Sequence, residues 1–300
     1  MSLKLKFIVC IILGCKTALA STVHPFAIYG DDNRIEAFDS NEIEFSKVQS
    51  IAGMIENQNL VKSGNGYTVK GTTLNKRYCE NSKFSQQILG PHCTGFLVHP
   101  QLIVTAGHCF IDATDCNDNS WIFDYTLSNS QDKGYTSIPN SKVYTCKKVV
   151  ARNYQNFGDV DYTIIQLDRP VNDRSFLKIN FDFQLQIGDT LFAVGYPKGL
   201  PTKIVNSAYI MQIKERAFKS NLDVFQGNSG SPVFESKTGN VVGIISNGHA
   251  DYTRGDGSGN CKIPKVCNEG DNCHLSTSSK IQNLKSDLEK AIYQLNSSTP

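Results

Sequence analysis

Apolar residues in this chain come in short runs separated by turn formers. Phe96-Leu97-Val98 and Leu102-Ile103-Val104 flank His99-Pro100-Gln101, and Tyr162 to Leu167 stops at Asp168-Arg169-Pro170. Further runs are Leu191 to Val194, Ala208 to Ile213, Pro232-Val233-Phe234 and Val241 to Ile245. Short strands at this spacing restrict the fold class to an all-β barrel or sandwich. Lys142 to Ala151 alternates as a further strand, whereas Val48 to Leu89 carries poor strand signals apart from the turn Gly64-Asn65-Gly66. Asp112 to Ser130 reads as a polar loop holding the single tryptophan, Trp121. One stretch has helical rather than strand periodicity. Between Ser278 and Leu295, residues Ile281, Leu284, Leu288, Ala291, Ile292 and Leu295 share a face, which predicts an amphipathic C-terminal helix.

Candidate chemistry centres on Gln226-Gly227-Asn228-Ser229-Gly230-Ser231-Pro232-Val233-Phe234. No strand continues through Gly-Asn-Ser-Gly, so the backbone turns tightly there. Such a turn can expose a serine hydroxyl and aim two backbone N–H groups at one point, a nucleophile beside an oxyanion hole. Upstream lie Thr105-Ala106-Gly107-His108-Cys109 and Asp161-Tyr162-Thr163-Ile164-Ile165-Gln166-Leu167. With these motifs, in the order His108, Asp161, Ser229, the chain resembles the chymotrypsin/trypsin-like serine peptidase family. The form GNSGSPVF is similar to its bacterial, glutamyl-endopeptidase-like branch. The resemblance covers roughly Ile28 to Gly248.

That resemblance implies two packed six-stranded antiparallel β-barrels with a C-terminal α-helix, the cleft between the barrels, and no cofactor or metal. It implies that Ser229 attacks a peptide carbonyl, that His108 is the base and then the acid, and that Asp161 orients His108. Gly227 and Ser229 would supply the oxyanion hole, Cys93 and Cys109 a disulfide beside the histidine, and Ser246-Asn247-Gly248 a substrate-pairing edge. Counting back from Ser229, Asp223 falls where trypsin-like enzymes carry a pocket-floor carboxylate, which leaves two readings open: Arg/Lys preference at P1, or a solvated or internally paired Asp223 without tryptic preference. The pocket histidine of glutamyl-specific relatives is Ile245 here, with His249 as the nearest substitute. Asn228 stands where animal trypsins carry the aspartate that pairs with the new N-terminal ammonium, so that mode of activation is not expected. The alternative reading is a peptidase-fold protein that binds without turnover.

The start of the chain has Lys4 and Lys6, an apolar run from Phe7 to Leu13, and Ala18-Leu19-Ala20. This reads as an export signal cleaved after Ala20. Ile12-Leu13-Gly14-Cys15 leaves lipid attachment at Cys15 as the less favoured alternative to a secreted or periplasmic protein. Residues 21–46 would be an arm or propeptide, and 47–300 the peptidase domain. Its barrels would span about 47–175 and 176–276, with the helix at 278–295. Eight cysteines lie beyond the signal, an even number that reads as disulfides in an exported chain. Their 105 possible connectivities stay open apart from the pair the resemblance supplies. A zinc site on Cys261, Cys267, Cys273 and His274 is disfavoured by spacing, and Arg254-Gly255-Asp256 carries no weight as an adhesion motif. The net charge of +2 falls to −1 without Lys4, Lys6 and Lys16, which gives no basis for nucleic-acid or anionic-membrane partners. The expected partner is a protein or peptide substrate, the expected state a monomer without a transmembrane segment.

Overall fold

The computed structural model describes residues 27–297 except 77, 113, 133–136, 156–157, 248–251, 256–260 and 269–273. The signal segment, Gly248, His249 and Cys273 lie outside the described residues.

Two closed antiparallel barrels form the body. In the first, Val143–Gln155, Val160–Leu167, Leu102–Thr105, Cys93–His99, Ile51–Glu56 and Asn119–Phe123 pair in that order, and the last closes onto the first. Val160–Leu167 is buried at all eight positions, as expected of a strand covered on both faces. Its partner Val143–Gln155 shifts register at Cys146/Lys148 and at Val149/Ala151. Such bulges bend a long strand around a small barrel.

In the second barrel, Thr190–Gly195, Pro232–Glu235, Val241–Asn247, Ser276–Lys280, Ala217–Ser220 and Lys203–Ile213 pair in sequence, and Lys203–Ile213 returns to Thr190–Gly195. One core cluster spans both barrels, with Phe96, Val104 and Tyr162 from the first and Val194, Phe234, Ile244 and Leu284 from the second. Burying this shared apolar surface, at roughly 25 cal/mol per Å², fixes how the barrels meet.

Two expectations change. Ile51–Glu56 and Asn119–Phe123 are paired barrel strands, and Trp121, within the second, is wholly buried rather than in a loop. The apolar content of NSWIF was outweighed in sequence by its polar flanks, but cross-strand burial decides. The C-terminal helix begins later: Ser276–Lys280 is a strand and Ile281–Leu284 a 3-10 turn, and the α-helix runs Lys285–Ser297. Serine and threonine at 276–279 fill the slot between Val241–Asn247 and Ala217–Ser220, where a helix would leave both ladders unpaired.

The N-terminal arm lies on the body, one of the two readings left open for it. Arg34–Glu36 pairs with Lys203–Val205 and extends the second barrel's sheet, and Ile28–Tyr29 lies parallel to Val266–Cys267. Glu42–Val48 is a helix with a capping box between Asn41 and Glu44. Lys203, fully buried, donates through Nζ to Glu36 Oε2 and to Pro201 O, both at 2.9 Å. Residues 27–48 are therefore built into the body.

Candidate active site

Each of the three chemistry-bearing residues stands where a strand ends or turns. Leu102–Thr105 delivers the 3-10 turn Gly107–Cys109, which carries His108. Asp161 is the second residue of the buried strand Val160–Leu167. Ser229 sits in the turn before Pro232–Glu235.

His108 Nδ1 lies 2.7 Å from Asp161 Oδ2, and His108 Nε2 lies 2.8 Å from Ser229 Oγ. The backbone N–H of His108 donates to Asp161 Oδ1 at 3.0 Å, so the carboxylate holds both the ring and its backbone. Ser246 Oγ also donates to Asp161 Oδ2, and Ser279 Oγ accepts from the Asp161 N–H at 3.2 Å. A carboxylate with no solvent exposure is thereby given donors on both oxygens, as a buried charge requires. A carboxylate on Nδ1 favours the tautomer with the proton there and leaves Nε2 as an acceptor toward the serine.

Gly227 has φ +98, and a Cβ there would fall 2.4 Å from Tyr196 O, so no other residue fits. Gly230 has φ +86, with Thr94 O only 2.1 Å from where a Cβ would stand. The carbonyl of Gln226 accepts from the N–H of Lys198. Because a trans peptide sets its N–H opposite its C=O, the Gly227 N–H must then point the other way. Lys198 holds this position from a left-handed backbone, φ +59. Thr94 closes the turn from the first barrel: its Oγ1 donates to Gly227 O at 2.8 Å, and its N–H to Ser229 O at 2.8 Å. The disulfide Cys93–Cys109 is formed and ties the strand carrying Thr94 to the turn carrying His108.

The other expected site residues divide. Ser246 is buried on Asp161, and Asn247 ends its strand exposed, paired with Thr277 on one side. Gly248 lies outside the described residues. Asp223 departs from its expected role. It has no solvent exposure, and its two oxygens accept from the N–H groups of Tyr29 and Asn33, both at 2.8 Å. Burial pushes its carboxyl up to about 7, only partly offset by these two amides. The structure thus fills Asp223 with chain, where position counting leaves it open for a substrate cation. Thr94, Lys198 and Ser279 escaped the sequence reading. Gly195-Tyr196-Pro197 before Lys198 was the one turn signal that pointed there.

A model of the trypsin-like peptidase domain matches residues 93–244. The chain is 28% identical over 150 residues to the glutamyl endopeptidase of Bacillus licheniformis, covering 49% of this chain and 46% of that one. It is 27% identical over 173 residues to a Bacillus subtilis protein named extracellular metalloprotease, covering 54% and 53% respectively. It thus spans about half the length of these two relatives. Among solved structures, a Glu endopeptidase superposes with a TM-score of 0.52 at 18% identity, over 88% of this chain and 98% of that one. The family model takes in just over half of the chain, from Cys93 at the first barrel to Ile244 in the second, and the chain belongs to the trypsin-like peptidase family.

Proposed function

We propose that the protein is an exported serine endopeptidase that works through His108, Asp161 and Ser229. The observation that carries this is the unbroken hydrogen-bond chain from Asp161 Oδ2 through His108 to Ser229 Oγ, at 2.7 and 2.8 Å. Ser229 Oγ attacks the scissile carbonyl carbon while His108 Nε2 takes its proton. Negative charge develops on the carbonyl oxygen, where the N–H groups of Gly227 and Ser229 receive it. His108 then returns the proton to the leaving amine, the C–N bond breaks, and an acyl ester on Ser229 remains. Water, deprotonated by His108, hydrolyses that ester. Asp161 stays ionised throughout and stabilises the imidazolium.

Export fits the disulfides Cys79–Cys261, Cys93–Cys109 and Cys116–Cys146 seen among the described residues, which persist in an oxidising compartment. It also fits the basic and apolar opening of the chain, which we assign as a signal cleaved after Ala20. No helix among the described residues is long and apolar enough to cross a membrane. The occupied oxygens of Asp223 argue against an Arg/Lys pocket floor, so P1 preference is open to a substrate panel.

A fluorophosphonate probe tests the reading. Wild type should label and Ser229→Ala should not. Absence of labelling in correctly bridged wild type would sink the peptidase reading and favour a binding protein on the same fold.

A further inference from the structure

We propose that the internal segment Ile28–Arg34, latched by Asp223, holds the turn Phe225–Ser229 in its catalytic shape, so that Asp223 and Arg34 are positioning residues for the oxyanion site. This rests on the serine peptidase reading above.

Asp223 stands two residues before Phe225, and the segment grips both. Its amides at Tyr29 and Asn33 take one carboxylate oxygen each. The Arg34 guanidinium lies 3.9 Å from the centre of the Phe225 ring, and Tyr252 packs against that ring at 5.6 Å. Arg34 is itself immobilised. It is 1% exposed, and it forks onto Asp32 through Nε at 2.8 Å and Nη2 at 2.6 Å. From Phe225 the turn proceeds directly to the oxyanion donors: its carbonyl accepts from Asn228 N at 2.9 Å, and the next carbonyl, of Gln226, is the one held by Lys198.

Asn228 takes no part in this latch. It is buried, and its Nδ2 has no hydrogen-bond partner among the described residues. The contact between an N-terminal segment and the turn therefore runs through Asp223 and Phe225, using backbone amides and a guanidinium in mid-chain. Backbone amides exist whether or not the chain has been cut upstream, so this latch needs no freed amino group. The segment is also anchored away from the turn. Ala27 and Ile28 donate to Lys265 O at 3.1 Å, and Arg34–Glu36 is part of the second barrel's sheet. A substrate cation at Asp223 would have to displace two amides that the rest of the fold holds in place.

The test uses full-length protein and compares wild type, Asp223→Ala, Asp223→Asn, Arg34→Lys and Ser229→Ala. The readouts are fluorophosphonate labelling rate, kcat and KM over a panel of P1 residues, and thermal midpoint. Asp223→Ala should lower kcat about 10²-fold, the scale of a lost oxyanion donor, with KM changed less than about threefold. The loss should be the same for every P1 residue. Asp223→Asn, which keeps one acceptor, should recover about tenfold of it. Arg34→Lys keeps the charge but not the flat face against Phe225, and should lower kcat about tenfold. A folded Asp223→Ala that turns over within threefold of wild type overturns the proposal. So does a loss confined to Arg and Lys at P1. If Asp223→Ala does not fold, Arg34→Lys decides: unchanged kcat overturns the latch, and a tenfold fall at unchanged KM and thermal midpoint supports it. Inactivity of wild type itself would instead sink the peptidase reading.

Discussion

Lys203→Met tests how firmly the arm belongs to the second barrel. Lys203 is fully buried, and its ammonium meets Glu36 Oε2, Pro201 O and the face of the Phe84 ring. Removing one partner of a buried pair costs about 3–5 kcal/mol. Glu36 retains the Gln87 side-chain amide at 2.6 Å, so the lower end, about 3 kcal/mol, applies. The double variant Lys203→Met/Glu36→Leu, which leaves no orphaned charge, should recover most of that loss. The pH dependence is sharper. Burial pushes Lys203 down to about 8, below its ordinary 10.5, against the pull of Glu36. Between those values the unfolded chain holds a proton that the folded chain lacks, so the contribution of Lys203 to stability rises with pH. Wild type should therefore gain about 1 kcal/mol over Lys203→Met between roughly pH 7 and pH 9. Urea unfolding followed by Trp121 fluorescence and circular dichroism at several pH values measures the gap. Taking differences cancels the titration of other groups. A gap that shrinks as pH rises would mean that Glu36 dominates over burial, and would refute the reasoning.

Three further outcomes follow from the site and the bridges. Ser246→Ala removes one donor from Asp161 and should lower kcat about tenfold at constant KM, the scale of one hydrogen bond to a charged group; steady-state kinetics decide it. Gly227→Ala places a methyl 2.4 Å from Tyr196 O and should cut kcat by about 10²–10³ by turning an oxyanion donor away, while thermal unfolding confirms a folded protein. Loop-closure entropy gives about 5 kcal/mol for the Cys79–Cys261 bridge, which closes 182 residues, and about 3 kcal/mol for Cys93–Cys109, which closes 16. Paired Cys→Ser variants should therefore lose stability in that order in chemical denaturation.

What was legible in the sequence was whatever is encoded locally. The runs around Leu102–Thr105, Val160–Leu167 and residues 241–246 announce strands because their whole length is buried. His108 and Ser229 sit in short motifs whose turn chemistry is written in glycine and small residues, and Asp161 immediately precedes a buried apolar run. What could not be read is set by partners distant in sequence. Trp121 looks like a loop residue until Met54 and Tyr144 pair beside it. Asp223 looks like an open pocket floor because position counting places a residue and says nothing of what fills the space before it. Its partners are Tyr29 and Asn33, 194 and 190 residues away. Ser246 lies on Asp161, a contact that a hydroxyl gives no hint of in sequence.

The same long-range contacts decide where the chain can be shortened. Starting it at Ala27 keeps Tyr29, Asn33, Arg34 and Glu36, and so keeps the two amides on Asp223, the guanidinium on Phe225 and the ion pair with Lys203. Starting it at Asn41 preserves the capping box of helix Glu42–Val48 but removes all four residues. That leaves Lys203 without its carboxylate, at about 3 kcal/mol, and Asp223 without two hydrogen bonds, at about 1.5–3 kcal/mol each. It also exposes the edge of Lys203–Ile213 that Arg34–Glu36 covers. The loss adds to at least about 6 kcal/mol, comparable with the whole stability of a typical domain. The longer chain should melt and label like wild type after signal removal, and the shorter one should fail to accumulate as folded protein. A shorter chain that folds, labels with fluorophosphonate and melts within a few degrees of wild type would show that the segment is a removable propeptide after all. It would overturn both the assignment of residues 27–40 to the body and the latch on Asp223.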